Sequence, residues 1–163
     1  MNKKPILILG VGNTIQKDDG IGVHVIEEMK KNPLPASVEL FDGGTLGYDL
    51  LGIIEERKKV IVIDAVKGEQ PPGTLYKFSP DDITTNNRYD SLHQLGIIEA
   101  IRLAGLQGKA PDQTVIIGIE PEIIDWGLTL TSAVKKTIPK IISLVMDEII
   151  IKTNDISPIF FNN

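Results

Sequence analysis

The sequence contains no cysteine and no long apolar run, and each absence excludes a class of protein. Without cysteine the chain can form no disulfide framework, no cysteine-based zinc site, no iron–sulfur cluster and no thiol nucleophile. No stretch reaches the roughly eighteen apolar residues of a membrane-spanning helix, and the apolar stretch near the start is too short for a secretory signal. We therefore expect a cytoplasmic protein that does not insert into a membrane.

Basic segments and histidines are also scarce. The formal net charge is −5, and no segment is strongly basic. Because phosphate binding needs a positively charged surface, we expect no nucleic-acid partner. The two histidines are His24 and His93, so a mechanism that needs an imidazole must use one of them. His24 falls inside a predicted helix, and we interpret it as structural or solvent-facing.

Apolar runs alternate with amphipathic stretches, which predicts a single α/β domain over residues 1–152 with a mostly parallel sheet covered on both faces. Strands are predicted at residues 6–9, 38–41, 60–63, 75–78 and 114–119, the fourth of them an edge strand. Helices are predicted at residues 21–31, 48–56, 92–103 and 132–151, and residues 79–90 are predicted to be an exposed polar loop. The tail, residues 153–163, has no usable period; disorder and packing of its two phenylalanines against a neighbour both remain open.

In such sheets ligands bind beyond the carboxyl ends of the strands. The loop after the first strand, residues 10–23 (GVGNTIQKDDGIGV), opens like a dinucleotide fingerprint, but Ile15 stands where the third glycine belongs. Asp18 and Asp19 would repel a pyrophosphate from the following helix, which argues against a nucleotide-binding domain. Helix capping and chemistry both remain open for these two aspartates.

Two more residues are candidates for a functional site, one directly after a predicted strand and one at the start of a predicted helix. Asp64 comes directly after a continuous apolar strand, where a carboxylate must be paired, hydrogen-bonded or metal-bound. His93 begins a helix, where a neutral imidazole can act as ligand or base. Two carboxylates and one imidazole at one sheet edge suit a divalent ion with open positions. Glu120 follows the last strand, and we interpret it as a turn acid.

Six segments in this order resemble the hydrogenase maturation endopeptidases, over about residues 5–150. They are GVGNTIQKDDGIGV, FDGGTLGYDLLG, VIVIDAV, PGTL, SLHQLG and IIGIEP. The resemblance implies a three-layer α/β/α domain with a twisted five-stranded sheet. It also implies removal of a C-terminal extension from the large-subunit precursor of a [NiFe] hydrogenase after nickel insertion.

The resemblance further implies roles for individual residues. The metal-contacting positions of the family correspond to Asp19, Asp64 and His93 here, and the two aspartates are the candidate catalytic groups. Nickel would be supplied by the substrate, and other divalent ions could occupy the site. The DGGT segment, comprising Asp42, Gly43, Gly44 and Thr45, would lie beside the cleft and bind substrate, although an ordinary turn remains an alternative. A non-catalytic accessory protein that holds metal or peptide is the competing interpretation, and the oligomeric state is not readable.

Overall fold

The computed structural model describes the backbone of residues 3–86, 92–150 and 159–161, and the side chains of residues 3–83 and 95–150. The strands are β1 (Ile6–Val11), β2 (Val38–Gly44), β3 (Lys59–Ala65), β4 (Leu75–Phe78), β5 (Gln113–Ile119) and β6 (Ile159–Phe161). The α-helices are α1 (Ile21–Met29), α2 (Leu51–Ile54), α3 (Pro80–Asn86), α4 (Leu92–Leu106), α5 (Ser132–Lys135) and α6 (Ile138–Ile150). Short 3₁₀ turns, Lys17–Gly20 and Gly47–Leu50, precede α1 and α2.

The strands form one sheet in the order β2-β1-β3-β5-β4-β6. The first four strands in this order are parallel, and β4 runs antiparallel to β5. The predicted mostly parallel sheet with one antiparallel strand is thereby confirmed. A sixth strand, β6, lies in the tail and pairs antiparallel with β4, so the sheet has six strands rather than the predicted five, and β4 is not the edge strand that was predicted. Three residues are too few to show a strand period, so the sequence pattern could not reveal it.

Continuous apolar strands form the centre of the molecule because both faces of the sheet are covered. On one face α1 and α6 pack against side chains that include Ile8, Ile61 and Ile63. On the other face Leu50 and helices α2 and α4 pack against side chains that include Val60 and Val62. This is the predicted three-layer α/β/α arrangement. None of the described helices is long and apolar enough to cross a bilayer.

The predicted loop at residues 79–90 and the predicted last helix differ from the structure. Residues 79–90 were predicted to be a loop, but α3 occupies part of them, since the Ser79 amide and hydroxyl both donate to Asp82 Oδ2, at 2.8 and 2.9 Å. This is a helix start built from polar groups, without an apolar period. The single predicted helix over residues 132–151 is divided into α5 and α6. Pro139 has no N–H to donate to the carbonyl of Lys135, so the α-helical pattern is interrupted there.

A buried ionic cluster joins the last helix to the sheet. Glu148 of α6 accepts a hydrogen bond from Lys59 Nζ at 2.7 Å and also pairs with Lys77 of β4. Burial opposes ionisation of Glu148, but the hydrogen bonds from the two lysines outweigh it and hold the pKa of this carboxyl below its ordinary value of 4.5. The cluster therefore ties α6 to β3 and β4.

Replacing Glu148 with glutamine should lower the free energy of unfolding by about 3 kcal/mol, because the buried Lys59 and the partly buried Lys77 lose their counter-charge. The folded-state pKa lies below the unfolded one, so the stabilisation is present above pH 4.5 and is lost as the pH falls through the lowered value. Urea unfolding at several pH values measures both effects. Glu99→Gln is the control, because Glu99 pairs with Arg102 on the surface of α4 and should contribute less than about 0.5 kcal/mol. Equal losses in the two variants would contradict this account.

Candidate functional site

The strand order creates a crevice at the carboxyl edge of the sheet. From β1 the chain passes through α1 on one face to β2, while from β3 it proceeds in the opposite direction toward β4 and β5. The loops that follow β1 and β3 therefore diverge between these neighbouring strands. Such a switch point is where ligands bind in open α/β sheets. The predicted site residues Asp19 and Asp64 come from these two segments.

Close packing of α1 brings the two segments together. A Cβ atom on Gly22 would lie 2.2 Å from the carbonyl oxygen of Ile63 and 2.4 Å from that of Val11. Only glycine allows the first turn of α1 to contact both strand ends at this distance. The 3₁₀ turn that carries Asp19 is in contact with β3, the strand that carries Asp64. The two aspartates thus belong to adjoining elements at one edge, as the sequence predicts.

Asp64 is the next-to-last residue of β3, and its carboxylate is fully buried. It pairs in register with Gly118 of β5. Alternate residues of a strand face the same side of the sheet. Val60 and Val62 belong to the core beneath α2 and α4, so the side chain of Asp64 points toward that same face. The carboxylate is therefore directed to the layer that contains α4.

Helix α4 begins at the same edge and carries His93 in its first turn. A Cβ on Gly96 would lie 3.0 Å from the Cα of Gly47, which follows the carboxyl end of β2. The other end of α4 leads to Lys109, whose carbonyl accepts from the amide of Glu56 ahead of β3. The backbone thus puts His93 at the carboxyl edge, over the face to which Asp64 points. The imidazole lies outside the described side chains, so its predicted role as a ligand stays a prediction.

Asp19 is buried in the 3₁₀ turn, and its Oδ2 accepts a hydrogen bond from the amide of Asn13 at 2.8 Å. The turn folds back against the Gly12 backbone, where a Cβ would lie 1.8 Å from the carbonyl oxygen of Asp19. Gly12 has φ +129°, a conformation that side-chain-bearing residues rarely adopt. Glycine at position 12 therefore allows the backbone of Asp19 to lie this close to the start of the loop.

Asp18 has a different role from its neighbour. Its carboxylate is fully buried and accepts hydrogen bonds from the amides of Glu122 at 2.9 Å and Ile123 at 3.0 Å. It also accepts from the amide and the hydroxyl of Thr131, at 2.7 and 2.8 Å. Asp18 therefore holds the loop that follows β5 against the loop that follows β1, and it does not cap α1 in the manner considered from sequence.

Replacing Asp18 with asparagine should lower the free energy of unfolding by about 1–3 kcal/mol. If the amide oxygen takes the position that accepts three hydrogen bonds, its NH₂ group faces the N–H of Thr131, and two donors oppose each other. Urea unfolding measures the loss. Asp42→Asn is the matched control, because the exposed Asp42 Oδ1 accepts a single bond, from the Gly44 amide at 3.0 Å, that asparagine can also accept. A difference of less than about 0.5 kcal/mol between the variants would contradict the role given to Asp18.

Glu120 is likewise engaged in holding a turn. Its Oε2 accepts a hydrogen bond from the amide of Gly68 at 2.7 Å and another from the hydroxyl of Tyr76. These contacts fix the connection between β3 and β4 to the end of β5. The arrangement agrees with its interpretation as a turn acid.

A cleft of about 190 Å³ opens at the carboxyl edge of the sheet, between the loops after β1 and β2. Three members of the DGGT segment line it, namely Asp42, Gly44 and Thr45, whereas Gly43 is buried against Leu9. The remaining lining residues are Gly12, Asn13, Thr14 and Val23. Asn13 and Thr14 were not predicted to line a cleft, although their position directly after a strand at the carboxyl edge was a usable signal.

The described side chains, which do not include His93, contain no group of three histidine, aspartate or glutamate residues suited to a metal ion. The two aspartates alone supply oxygen ligands of the kind that divalent ions accept. A third ligand from the first turn of α4 would complete a set that leaves positions open for substrate and water. No basic group is among the residues that line the cleft.

Comparisons with known proteins agree on one family. A family profile described as hydrogenase maturation protease (HycI) matches residues 23–148. The hydrogenase expression/formation protein HupD of Rhodobacter capsulatus is 41% identical over 133 residues, which cover 79% of this chain and 63% of that protein. The hydrogenase 2 maturation protease of Escherichia coli is 32% identical over 145 residues, which cover 86% of this chain and 88% of that protein.

Solved structures show the same similarity in three dimensions. The hydrogenase maturating endopeptidase HybD from Escherichia coli superposes with a TM-score of 0.80 at 32% identity, covering 88% of this chain and 91% of that chain. The [NiFe] hydrogenase maturation protease HybD from Thermococcus kodakarensis superposes with a TM-score of 0.74 at 25% identity, covering 88% of this chain and 97% of that chain.

Proposed function

The chain belongs to the hydrogenase maturation protease family, and from this premise we propose that it cleaves the large-subunit precursor of a [NiFe] hydrogenase. The bond cut is the one that joins the mature subunit to its C-terminal extension, and cleavage follows nickel insertion. The observation that supports the proposal is that two buried aspartates, Asp19 and Asp64, come from adjoining elements at the switch point of a sheet whose carboxyl edge also has an open cleft.

Nickel in this proposal is part of the substrate. The precursor brings the ion to the carboxyl edge, where Asp19, Asp64 and the imidazole of His93 supply oxygen and nitrogen ligands. Three ligands from this chain leave positions open for the precursor's own groups. The ion is then a recognition element, because a precursor without it is not held with its scissile bond in place.

Cleavage itself is hydrolysis of a peptide bond. A water oxygen bonds to the scissile carbonyl carbon, the carbon–nitrogen bond breaks, and the departing nitrogen gains a proton. We assign the acceptance of the water proton and its delivery to the nitrogen to the Asp19–Asp64 pair, since carboxylates at this edge can act as general bases. The segment lining the cleft, Asp42, Gly44 and Thr45, lies where an extended peptide can pass.

Mass spectrometry of the precursor tests this proposal. Purified protein is incubated with the nickel-loaded precursor and with the same precursor prepared without nickel. The expected result is a loss of mass equal to the extension in the first sample and no loss in the second. An unchanged mass in both samples, with the two proteins forming a complex, would instead support a non-catalytic accessory protein. Cleavage at equal rates in both samples would contradict the role of nickel.

A further inference from the structure

The loop between β5 and α5 exposes a concentration of large apolar side chains. Trp126, the one tryptophan of the chain, and Leu128 are each 72% exposed, and Ile123 and Ile124 are also exposed. Single exposed apolar residues are ordinary on protein surfaces, whereas clusters of them mark places where partners bind. Four such residues within one short loop therefore require an explanation that core packing does not supply.

Backbone hydrogen bonds hold this loop firmly against the loop after β1. The Gly127 carbonyl accepts from the Lys17 amide, and the Gly127 amide donates to the Ile15 carbonyl, both at 3.0 Å. The Asp18 amide donates to the carbonyl of Ile123 at 3.2 Å, in addition to the four bonds that its carboxylate accepts. A surface that is already ordered loses little conformational entropy when a partner binds.

The same contacts bring the apolar surface to the candidate site. Asp18 holds the loop, and the next residue along the chain is Asp19. Ile15, also exposed, is bonded through its backbone to Gly127 and directly follows Thr14, which lines the cleft. The apolar loop is therefore bonded to the same loop that borders the cleft, so we expect a chain that enters the cleft to pass close to it.

We propose that this surface, the Trp126 patch, docks the hydrogenase large-subunit precursor through an apolar segment close to its scissile bond. The patch comprises Ile15, Ile123, Ile124, Trp126 and Leu128. The inference rests on the proposed function for the identity of the occupant. Apolar and aromatic anchors next to a cleft suit a protein surface, since tryptophan is enriched among the residues that dominate protein–protein binding. The patch gives the protease affinity for the folded precursor in addition to its contacts with the ion.

Binding and cleavage are measured separately with the Trp126→Ser/Leu128→Ser double variant. In the Asp64→Asn background, which is expected to cut at least about a hundredfold more slowly, the double variant should bind the nickel-loaded precursor at least about tenfold more weakly. In a chain that retains Asp64, the double variant should show a KM raised by a similar factor, with kcat at saturating precursor little changed. Leu106→Ser is the control, because Leu106 is 86% exposed at the far end of α4 and should leave both quantities unchanged.

The outcomes distinguish this inference from the proposed function. If neither the original chain nor the double variant cuts the precursor, but the double variant binds it more weakly, the docking inference stands and the protease assignment fails. If the original chain cuts and the double variant shows unchanged affinity and KM, the docking surface is wrong. Loss of self-association in the double variant with unchanged precursor affinity would also overturn it, since the patch would then join two copies of this chain. Trp126→Ser alone gives the same decision if the double variant unfolds.

Discussion

Replacing Asp64 with asparagine is expected to lower the rate of precursor cleavage by about 10²–10⁴-fold without unfolding the protein. Asparagine has nearly the same volume, so the packing at the end of β3 should survive. The substitution removes a negative charge that we propose as a ligand of the ion, and one of the two carboxylates that we propose for proton transfer. Loss of mass from nickel-loaded precursor, followed over time, measures the rate.

The control for this variant is the same substitution at the opposite edge of the sheet. Asp112 is exposed just before β5, and its amide donates to the carbonyl of Arg57 near the start of β3. Asp112→Asn should therefore cut at the rate of the unaltered chain. If Asp64→Asn cuts as fast as Asp112→Asn, the carboxylate of Asp64 has no part in the reaction.

Replacing Gly22 with alanine is expected to have the largest effect on stability, a loss of about 3 kcal/mol or more in the free energy of unfolding. The added methyl group would lie 2.2 Å from the carbonyl oxygen of Ile63 and 2.4 Å from that of Val11. Both neighbours are backbone atoms of central strands, so α1 would have to move away from the sheet. Because Ile63 precedes Asp64, cleavage of the precursor should fall as well.

Gly52→Ala provides the comparison, since both glycines lie in helices and gain the same methyl group. A Cβ on Gly52 meets nothing within 4 Å, and residue 52 is exposed in α2. This variant should be more stable by about 0.5–1 kcal/mol, because alanine loses less conformational entropy than glycine in a helix. Urea unfolding of the two variants and the unaltered chain gives both values. An unchanged stability for Gly22→Ala would show that α1 is not held where we describe it.

The strands could be predicted from sequence because burial on both faces leaves continuous apolar runs. Residues 60–63 and 114–119 are examples, and the structure extends each of them by only one or two residues at an end. The second predicted helix, residues 48–56, is instead a 3₁₀ turn followed by a short α-helix, Leu51–Ile54. Gly47 at φ +55° and Gly52 lower the helical tendency there.

Helix α3 was missed because the polar segment has no apolar period. The signal that could have found it is local: Ser79, Pro80 and Asp82 form a serine cap, a proline at the first helical position and an acid two residues after it. The break between α5 and α6 also had a local signal, because Pro139 cannot donate within a helix. In both cases the prediction followed the presence or absence of an apolar period and not these local signals.

The separate roles of Asp18 and Asp19 could not be predicted from sequence. The partners of Asp18 include Glu122 and Thr131, more than a hundred positions along the chain. Only the fold shows that one aspartate turns toward that loop while the next accepts from Asn13. The prediction that Asp19 and Asp64 share one edge succeeded because parallel strands bring their carboxyl ends to the same side.

The central claim is that Asp19, Asp64 and His93 hold one ion at the carboxyl edge of the sheet. Anomalous X-ray diffraction at the nickel edge, from crystals of this protein soaked in a nickel salt, tests it most directly. The account predicts one nickel peak about 2 Å from a carboxylate oxygen of each aspartate and from a ring nitrogen of His93. A nickel peak elsewhere, with the Asp64 carboxylate and the His93 imidazole too far apart to touch a common ion, would contradict it.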